Sequence, residues 1–197
     1  MELDASQRKE YIILHAIDLI DENGIHNIST KEIARRLNIS EGLLFKLYPK
    51  KSDLILAVLN HFCIYDSDMF YSAMERNENA LEAIRFYINS YMIYYENYPA
   101  ITAVYQAYDT LKGDSKLEQK ARDIYFDRID YFTKMIIKAK DSGLVQETID
   151  AEGVATIISS IIRGICLEWR LSDYRFSLRE KAAWATDLVL DSIKTQN

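Results

Sequence analysis

Turn-forming residues are scarce in this chain of 197 residues, and it contains no long hydrophobic run. Six Gly and two Pro are too few for the many tight turns of a β-meander, so we expect helices joined by short loops. A membrane-spanning helix needs about 18 or more consecutive apolar residues, and no segment reaches that length. Residues 1–10 are polar and lack the apolar stretch of a secretion signal. We therefore predict a cytoplasmic protein with no membrane partner.

Thiols and histidines are also few. Cys63 and Cys166 lie far apart, each within a helical apolar pattern, so free thiols are the simplest interpretation and a disulfide is the alternative. The three histidines lack the spacing of metal ligands; they are His15, His26 and His61. No Gly-rich phosphate loop or nucleophile–base set is recognisable. We therefore predict no metal, no cofactor and no enzymatic activity.

Charge is unevenly distributed along the chain. The whole sequence has 24 Lys and Arg against 30 Asp and Glu, a net charge of −6. Residues 29–51 hold six basic and two acidic residues, a net charge of +4, which leaves −10 for the remainder. A cationic segment on an acidic body suits binding to DNA phosphates, since their attraction acts over about 8 to 10 Å. A solvated charged surface is the alternative interpretation.

Apolar residues recur with the helical period along most of the chain, and no convincing strand is found. The pattern and its capping residues predict nine helices. They cover residues 11–21, a stretch that begins at residue 30, residues 40–47, 53–62 and 80–98, a shorter stretch that ends at about residue 111, and residues 116–140, 151–171 and 178–194. We therefore expect an all-α fold with a small N-terminal unit and a larger helical bundle.

Residues 30–47 meet three requirements of a helix-turn-helix. The first helix needs a small residue where the second crosses it, the turn needs a residue that tolerates positive φ, and the second helix needs an apolar anchor. Ala34, Asn38 and Leu44 satisfy these requirements in that order. Ile39 is placed to fill the angle between the helices, and Ser40 is placed to cap the second one. The combination predicts a DNA-reading element.

The residues around this element resemble a known family signature. The matching residues are Ser40, Gly42, Leu44, Phe45, Tyr48, Lys51 and Leu54, preceded by the segment Ser29–Ala34. They are similar to the signature of the tetracycline-repressor (TetR) family over about residues 8–60, and beyond that only the order and lengths of the helices agree. The resemblance implies about nine helices, with a helix-turn-helix DNA-binding domain at residues 1–50 and a ligand-sensing and dimerisation domain at residues 51–197.

The resemblance also implies a homodimer that represses transcription from a pseudo-palindromic operator in double-stranded DNA, until a small-molecule effector releases it. No residue distinguishes repression from activation. The DNA-binding residues carried over from the family are Ser29, Thr30, Lys31, Ser40, Glu41, Gly42, Leu43, Lys46, Leu47, Tyr48 and Lys51. Leu43 and Leu47 depart from the usual pattern, because leucine cannot hydrogen-bond a base but can contact a thymine methyl group. Glu41 either accepts from a cytosine amine or stabilises the helix N-terminus.

Twelve aromatic residues lie between residues 86 and 132. Buried tyrosines need polar partners for their hydroxyl groups, so this region predicts either an aromatic core or an apolar, aromatic-lined effector pocket. The candidate ligand-binding residues are Phe86, Tyr87, Tyr91, Tyr94, Tyr95, Tyr105, Tyr108, Tyr125 and Tyr131. Candidate anchors for a charged effector are Asp109, Arg85, Arg128 and Arg163, with surface salt bridges as the alternative.

The last two predicted helices are apolar on more than one face, and such helices must be covered on more than one side. Pairing with the same helices of a second chain would cover them. The predicted dimer-interface residues are Ile157, Ile158, Ile161, Ile165, Trp169, Ala185, Leu188 and Val189.

Two other functions stay open. A helical adaptor without specific DNA binding is compatible with Glu41, Leu43 and Leu47. An all-α enzyme would need acidic or histidine motifs that face a cavity. The pair Asp66 and Asp68 is a weak candidate, because the sequence offers it no evident partner.

Overall fold

The structure, a computed structural model, describes residues 4–76 and 79–195. These residues form ten α-helices and two short 3-10 helices, and their β pairing is limited to an isolated bridge between Val145 and Lys194. The helices are α1 (Ala5–Asn23), α2 (Thr30–Arg36), α3 (Glu41–Leu47), α4 (Lys51–Phe62), α5 (Asp66–Glu75), α6 (Ala80–Asn97), α7 (Ile101–Gln106), α8 (Ser115–Asp141), α9 (Ala151–Leu171) and α10 (Leu178–Ile193). The 3-10 helices are Ile25–Asn27 and Tyr108–Leu111. The all-α prediction is confirmed.

The apolar pattern does not predict α5, which is why the described residues contain one helix more than the nine expected. This helix buries only Asp66, Phe70 and Ala73, so its buried face has just two apolar residues. Only three residues separate α5 from the end of α4, so the sequence gives little sign that a new helix begins there.

The chain divides into two compact units. The first contains the residues up to Ile64 together with Tyr98–Asp123, and the second contains Tyr65–Asn97 and the residues from Ile124 onward. Helix α8 therefore begins in the first unit and continues in the second. The functional division expected near residue 50 stays a prediction, because compactness and function need not divide a chain at the same point.

Helix α1 organises the first unit by packing against α4 and α7. It begins six residues before the predicted start, because Asp4 and Gln7 form a capping box in which each side chain accepts a hydrogen bond from the other residue's backbone N–H. It ends at Asn23, two residues beyond the predicted end, and the following Gly24 has a φ of 81°, which glycine tolerates. Helix α4 also begins earlier than predicted: Asp53 lies within its first turn, and its carboxylate accepts from the Lys50 N–H at 2.9 Å.

Three helix pairs contribute to the second unit: α5 packs on α6, and α10 packs on both α6 and α9. Ser177 caps α10 by accepting from the Glu180 N–H at 3.2 Å. The Trp169 indole N–H donates to the Phe176 carbonyl at 2.9 Å and so ties the end of α9 to the following turn. These bonds fix the α9–α10 hairpin that carries the predicted dimer face.

Candidate DNA interface and effector site

The predicted helix-turn-helix is present at α2 and α3. Ser29 caps α2 by accepting from the Glu32 N–H, and Ser40 caps α3 by accepting from the Leu43 N–H, each at 3.2 Å. Asn38 lies between the helices with a φ of 51°, the left-handed conformation that the turn requires. The predicted Ser40 cap and the turn at Asn38 are therefore confirmed.

Buried apolar side chains hold the two helices together. Ile33, Ala34 and Leu44 are buried at their contact, while Leu37 and Ile39 are half-buried. The Ile39 N–H donates to the Ala34 carbonyl at 3.0 Å, which closes the turn. With Leu44 turned inward, the opposite face of α3 is left for a partner.

The outward face of α3 is only partly the one expected. Glu41, Gly42 and Lys46 are exposed, whereas Leu43 and Leu47 are half-buried. Phe45 is 44% exposed on the same helix, although it was not among the predicted DNA-binding residues. Its place in the family signature was the signal that could have identified it.

Intramolecular contacts occupy half of the basic residues in this segment. Arg35 donates two hydrogen bonds to Glu32 at 2.7 and 2.8 Å, and Arg36 binds both Glu32 and Glu22. Hydrogen bonds from Arg35 and then Arg36 lower the pKa of Glu32 to about 2, so this carboxylate holds both guanidinium groups at neutral pH. The Lys51 ammonium donates to the His26 carbonyl at 2.5 Å.

The remaining predicted DNA-binding residues differ in exposure. Lys31 and Ser29 are exposed at the start of α2, and Thr30 is half-buried. Tyr48 is only 8% exposed, and its hydroxyl donates to the Lys9 carbonyl at 3.5 Å. Burial raises the pKa of Tyr48. The side chain thus fastens the end of α3 to α1, and its contact with a phosphate stays a prediction.

The predicted aromatic cluster is divided between the two units. Tyr105 and Tyr108 belong to the first unit, where their rings pack against Phe62 with centroid separations of 5.9 and 6.1 Å. The other seven candidate ligand-binding residues belong to the second unit.

A groove between α5 and α6 in the second unit contains two of these seven residues, Tyr91 and Tyr94. Its volume is about 260 Å³, and its other lining residues are Tyr65, Asp68, Met69 and Ser72. Tyr65 is exposed at the rim, Tyr94 is half-buried, and Tyr91 is buried. The lining is mostly aromatic and apolar, and its role as an effector pocket stays a prediction.

A buried ion pair lies behind the Tyr91 ring. Arg128 donates from Nε to Asp66 Oδ2 at 2.8 Å and from Nη2 to Asp66 Oδ1 at 2.9 Å, while its Nη1 donates to the Tyr95 hydroxyl at 3.1 Å. The Tyr91 hydroxyl donates to Asp66, and the Tyr91 ring lies 4.7 Å from the guanidinium carbon of Arg128. Burial raises the pKa of Tyr91 far above its usual value, so this hydroxyl remains a donor.

This ion pair corrects two expectations. Asp66 has a partner after all, and the salt bridge of Arg128 is buried and not on the surface. A role of Arg128 as an anchor for a charged effector stays a prediction. The two residues are 62 positions apart, so no local pattern in the sequence connects them.

The other five candidates in the second unit do not share the groove. Tyr87 and Tyr95 are buried, Tyr131 shares a hydrogen bond of 3.1 Å with Ser67, and Tyr125 packs on Phe126. Phe86 lines a different cavity of about 290 Å³ between α6 and α10. The structure therefore does not bring the predicted set together in one pocket.

Arg85 lies beside this second cavity and forms surface salt bridges, one of its two predicted roles. It binds Glu82 at 2.7 Å and Asp187 at 2.6 Å. The roles suggested for Asp109 and Arg163 stay predictions.

The α9–α10 hairpin has an exposed apolar face. Of the predicted interface residues, Ile157 and Leu188 are exposed, and Ile161 and Val189 are half-buried. The other four pack inside their own unit and leave little area for a second chain: Ile158, Ile165, Trp169 and Ala185. Exposed apolar residues that sequence reasoning missed are Leu167, Leu171 and Trp184.

The described parts of the chain were also compared with the requirements of a metal site, a membrane-spanning helix and a disulfide. Within residues 4–76 and 79–195, no group of three potential metal-binding side chains is found. No helix described there is long and apolar enough to cross a bilayer. Both cysteines are free thiols, as predicted, and burial raises the pKa of Cys166 to about 12.

Comparison with sequence families gives two matches. The model for bacterial regulatory proteins of the tetR family matches residues 12–58. The model for the C-terminal region of YsiA-like protein matches residues 64–192, well over half of the chain. The chain is also 18% identical, over 182 residues, to the fatty acid metabolism regulator protein of Bacillus subtilis, a match that covers 92% of this chain and 93% of the relative.

Solved structures share the fold. A TetR-family transcriptional regulator from Agrobacterium tumefaciens superposes with a TM-score of 0.83 at 18% identity, covering 98% of this chain and 100% of that one. The regulator FadR from Bacillus subtilis, in complex with stearoyl-CoA, gives a TM-score of 0.82 at 19% identity, covering 93% of this chain and 98% of that one.

Proposed function

Since this chain belongs to the tetR family of bacterial regulatory proteins and is a ligand-responsive DNA-binding transcriptional regulator, we propose that it represses transcription as a homodimer until an apolar effector releases it from DNA. The observation that carries this proposal is the outward face of α3. It presents Lys46 and Phe45 on a capped, rigidly packed helix whose opposite face is anchored by Leu44. Two such faces in a symmetric dimer fit successive major grooves of a pseudo-palindrome.

Operator selection tests DNA binding directly. We expect the full chain to enrich a pseudo-palindromic sequence from a random duplex pool, with an affinity that falls steeply as salt is raised. Lys46→Gln should weaken the selected complex, whereas Lys120→Gln, which removes a charge from α8, should not. Failure to retain any duplex DNA at low ionic strength would contradict the proposal.

The groove at Tyr65, Met69 and Tyr94 supports an apolar effector. One relative is named for fatty acid metabolism, and the structure of another contains stearoyl-CoA, so a long-chain acyl-CoA is the first compound to test. In this proposal the acyl chain contacts the aromatic walls, since burying apolar surface contributes about 25 cal/mol per Å².

Release from the operator tests the effector. Titrating stearoyl-CoA into a fluorescent operator complex should lower its anisotropy, and free coenzyme A should leave it unchanged. Met69→Arg places a charge in the groove and should abolish the response while operator affinity is retained. Ile137→Arg changes an exposed apolar residue of α8 outside the groove and should respond normally. A full response from Met69→Arg would place the effector elsewhere.

A further inference from the structure

The reading helix α3 is poor in groups that can hydrogen-bond to bases. Its seven residues include one side-chain donor, Lys46, and one acceptor, Glu41. The other residues are Gly42 and four apolar side chains, of which only Leu44 is fully buried. Successive residues of a helix turn by about 100°, so Leu43 and Phe45 flank Gly42 and Lys46 on the face opposite Leu44.

Each base pair is normally recognised by a particular side-chain chemistry in the major groove. Guanine is bound by Arg or Lys, adenine by Asn or Gln, and cytosine by an acidic side chain, whereas thymine offers a methyl group for apolar contact. Helix α3 has no Arg, Asn or Gln. Of its neighbours on α2, Arg35 and Arg36 are both held by Glu32.

Phe45 strengthens the case for apolar recognition. A phenyl ring that is 44% exposed on a DNA-reading face gains free energy when a partner removes it from water. Phenylalanine also lacks a hydroxyl, so its ring offers a base or a sugar only van der Waals and apolar contact. Gly42 lies beside it without a side chain, so the DNA can approach the helix closely.

From these observations we infer that thymine methyl groups specify each operator half-site, through contacts with Leu43 and Phe45, and that Lys46 supplies the accompanying hydrogen bond. This inference rests on the proposed DNA-binding function and specifies which chemical groups of the operator the protein recognises. Half-sites should therefore contain thymines at the positions opposite these two side chains, and their methyl groups should carry measurable affinity.

Deoxyuridine tests this inference without altering the protein, because it pairs like thymidine but lacks the methyl group. Starting from the selected operator, each half-site thymine is replaced in turn and affinity is measured by fluorescence anisotropy. Loss of one contacted methyl should weaken binding about fourfold. An operator with deoxyuridine at every half-site thymine that binds as tightly as the parent would overturn the inference.

Two variants assign the contact. With Phe45→Ala, one thymine position should no longer distinguish thymidine from deoxyuridine. Lys31→Gln removes a charge at the start of α2 and should weaken both operators equally, so the methyl effect should persist. If Phe45→Ala instead retained every methyl effect, the contact would not be made by Phe45. If the chain selected no operator at all, that result would refute the proposed DNA-binding function and not the inference about thymine recognition.

Discussion

Gly42 is a residue whose identity the fold does not explain. A Cβ atom built there would meet only the Ser40 hydroxyl, at 3.9 Å, which is ordinary contact. Glycine within a helix is less favourable than alanine by roughly 0.5–1 kcal/mol, so its presence on the exposed side of α3 has a cost without an internal benefit. We propose that close approach of DNA is the reason for this glycine.

Replacing Gly42 with Ala should therefore change stability and binding in opposite directions. We expect the free energy of unfolding to rise by up to about 1 kcal/mol, since the added methyl group restricts the unfolded chain. Operator affinity should fall, because the methyl group would stand between the helix and the bases. Urea unfolding and anisotropy titration measure the two quantities. A variant with higher stability and unchanged affinity would show that DNA does not approach this position.

The buried Asp66–Arg128 pair is the residue-scale feature with the greatest expected effect on stability. Arg128→Met leaves the Asp66 carboxylate buried without its partner, which should reduce the free energy of unfolding by about 3–5 kcal/mol. The double variant Asp66→Leu with Arg128→Met should recover much of this loss, because no charge then remains buried. Arg85→Met is the control: its ion pairs are partly exposed, and such pairs contribute about 1 kcal/mol or less. Equal losses for Arg128→Met and Arg85→Met would contradict this distinction.

At the scale of elements, α2 contains a charge arrangement that we expect to affect DNA binding. Glu32 holds Arg35 and Arg36, and its lowered pKa of about 2 keeps it ionised throughout the range in which binding is measured. Glu32→Gln should free Arg35 for a phosphate. Affinity for random duplex DNA should rise, and the slope of log K against log salt should steepen by about 0.9 for each new contact.

Glu22→Gln is the matched control for this change. It removes the same charge and loosens Arg36, but it leaves Arg35 bound to Glu32. Its salt slope should stay closer to that of the parent chain. Identical slopes for both variants would mean that Arg35 does not reach the DNA backbone.

Elements whose signals are local could be predicted from the sequence. Ser29, Asn38 and Ser40 act on neighbouring backbone atoms, so α2, the turn and α3 follow directly from residue type and spacing. Helix α5 could not be predicted in this way, because it packs against α6 and its Asp66 accepts hydrogen bonds from the distant Arg128. Half of the lining of the candidate effector groove comes from that helix, so Asp68, Met69 and Ser72 were missed for the same reason.

The exposed apolar face of the α9–α10 hairpin leads us to expect that the whole molecule is a dimer. Proteins seldom leave such a surface uncovered, and a second copy of the same hairpin would bury Leu188, Ile157 and their exposed neighbours. Leu188→Glu places a charge on this face. We expect a monomer in analytical ultracentrifugation. Operator affinity should also fall markedly, because a monomer can bind only one of the two half-sites.

Ile137→Glu provides the matched comparison, since Ile137 is an exposed apolar residue of α8. Its mass in solution and its operator affinity should equal those of the parent. A dimer that survives Leu188→Glu would show that the two chains meet through another surface.

The two tryptophans of this chain lie in contrasting surroundings. Trp169 is buried and its indole is hydrogen-bonded to Phe176, whereas Trp184 is 66% exposed on the apolar face of α10. Intrinsic fluorescence can thus follow subunit association without a label. Dilution that separates the subunits should shift emission towards longer wavelengths and make Trp184 accessible to acrylamide, while Trp169 supplies a constant, protected background.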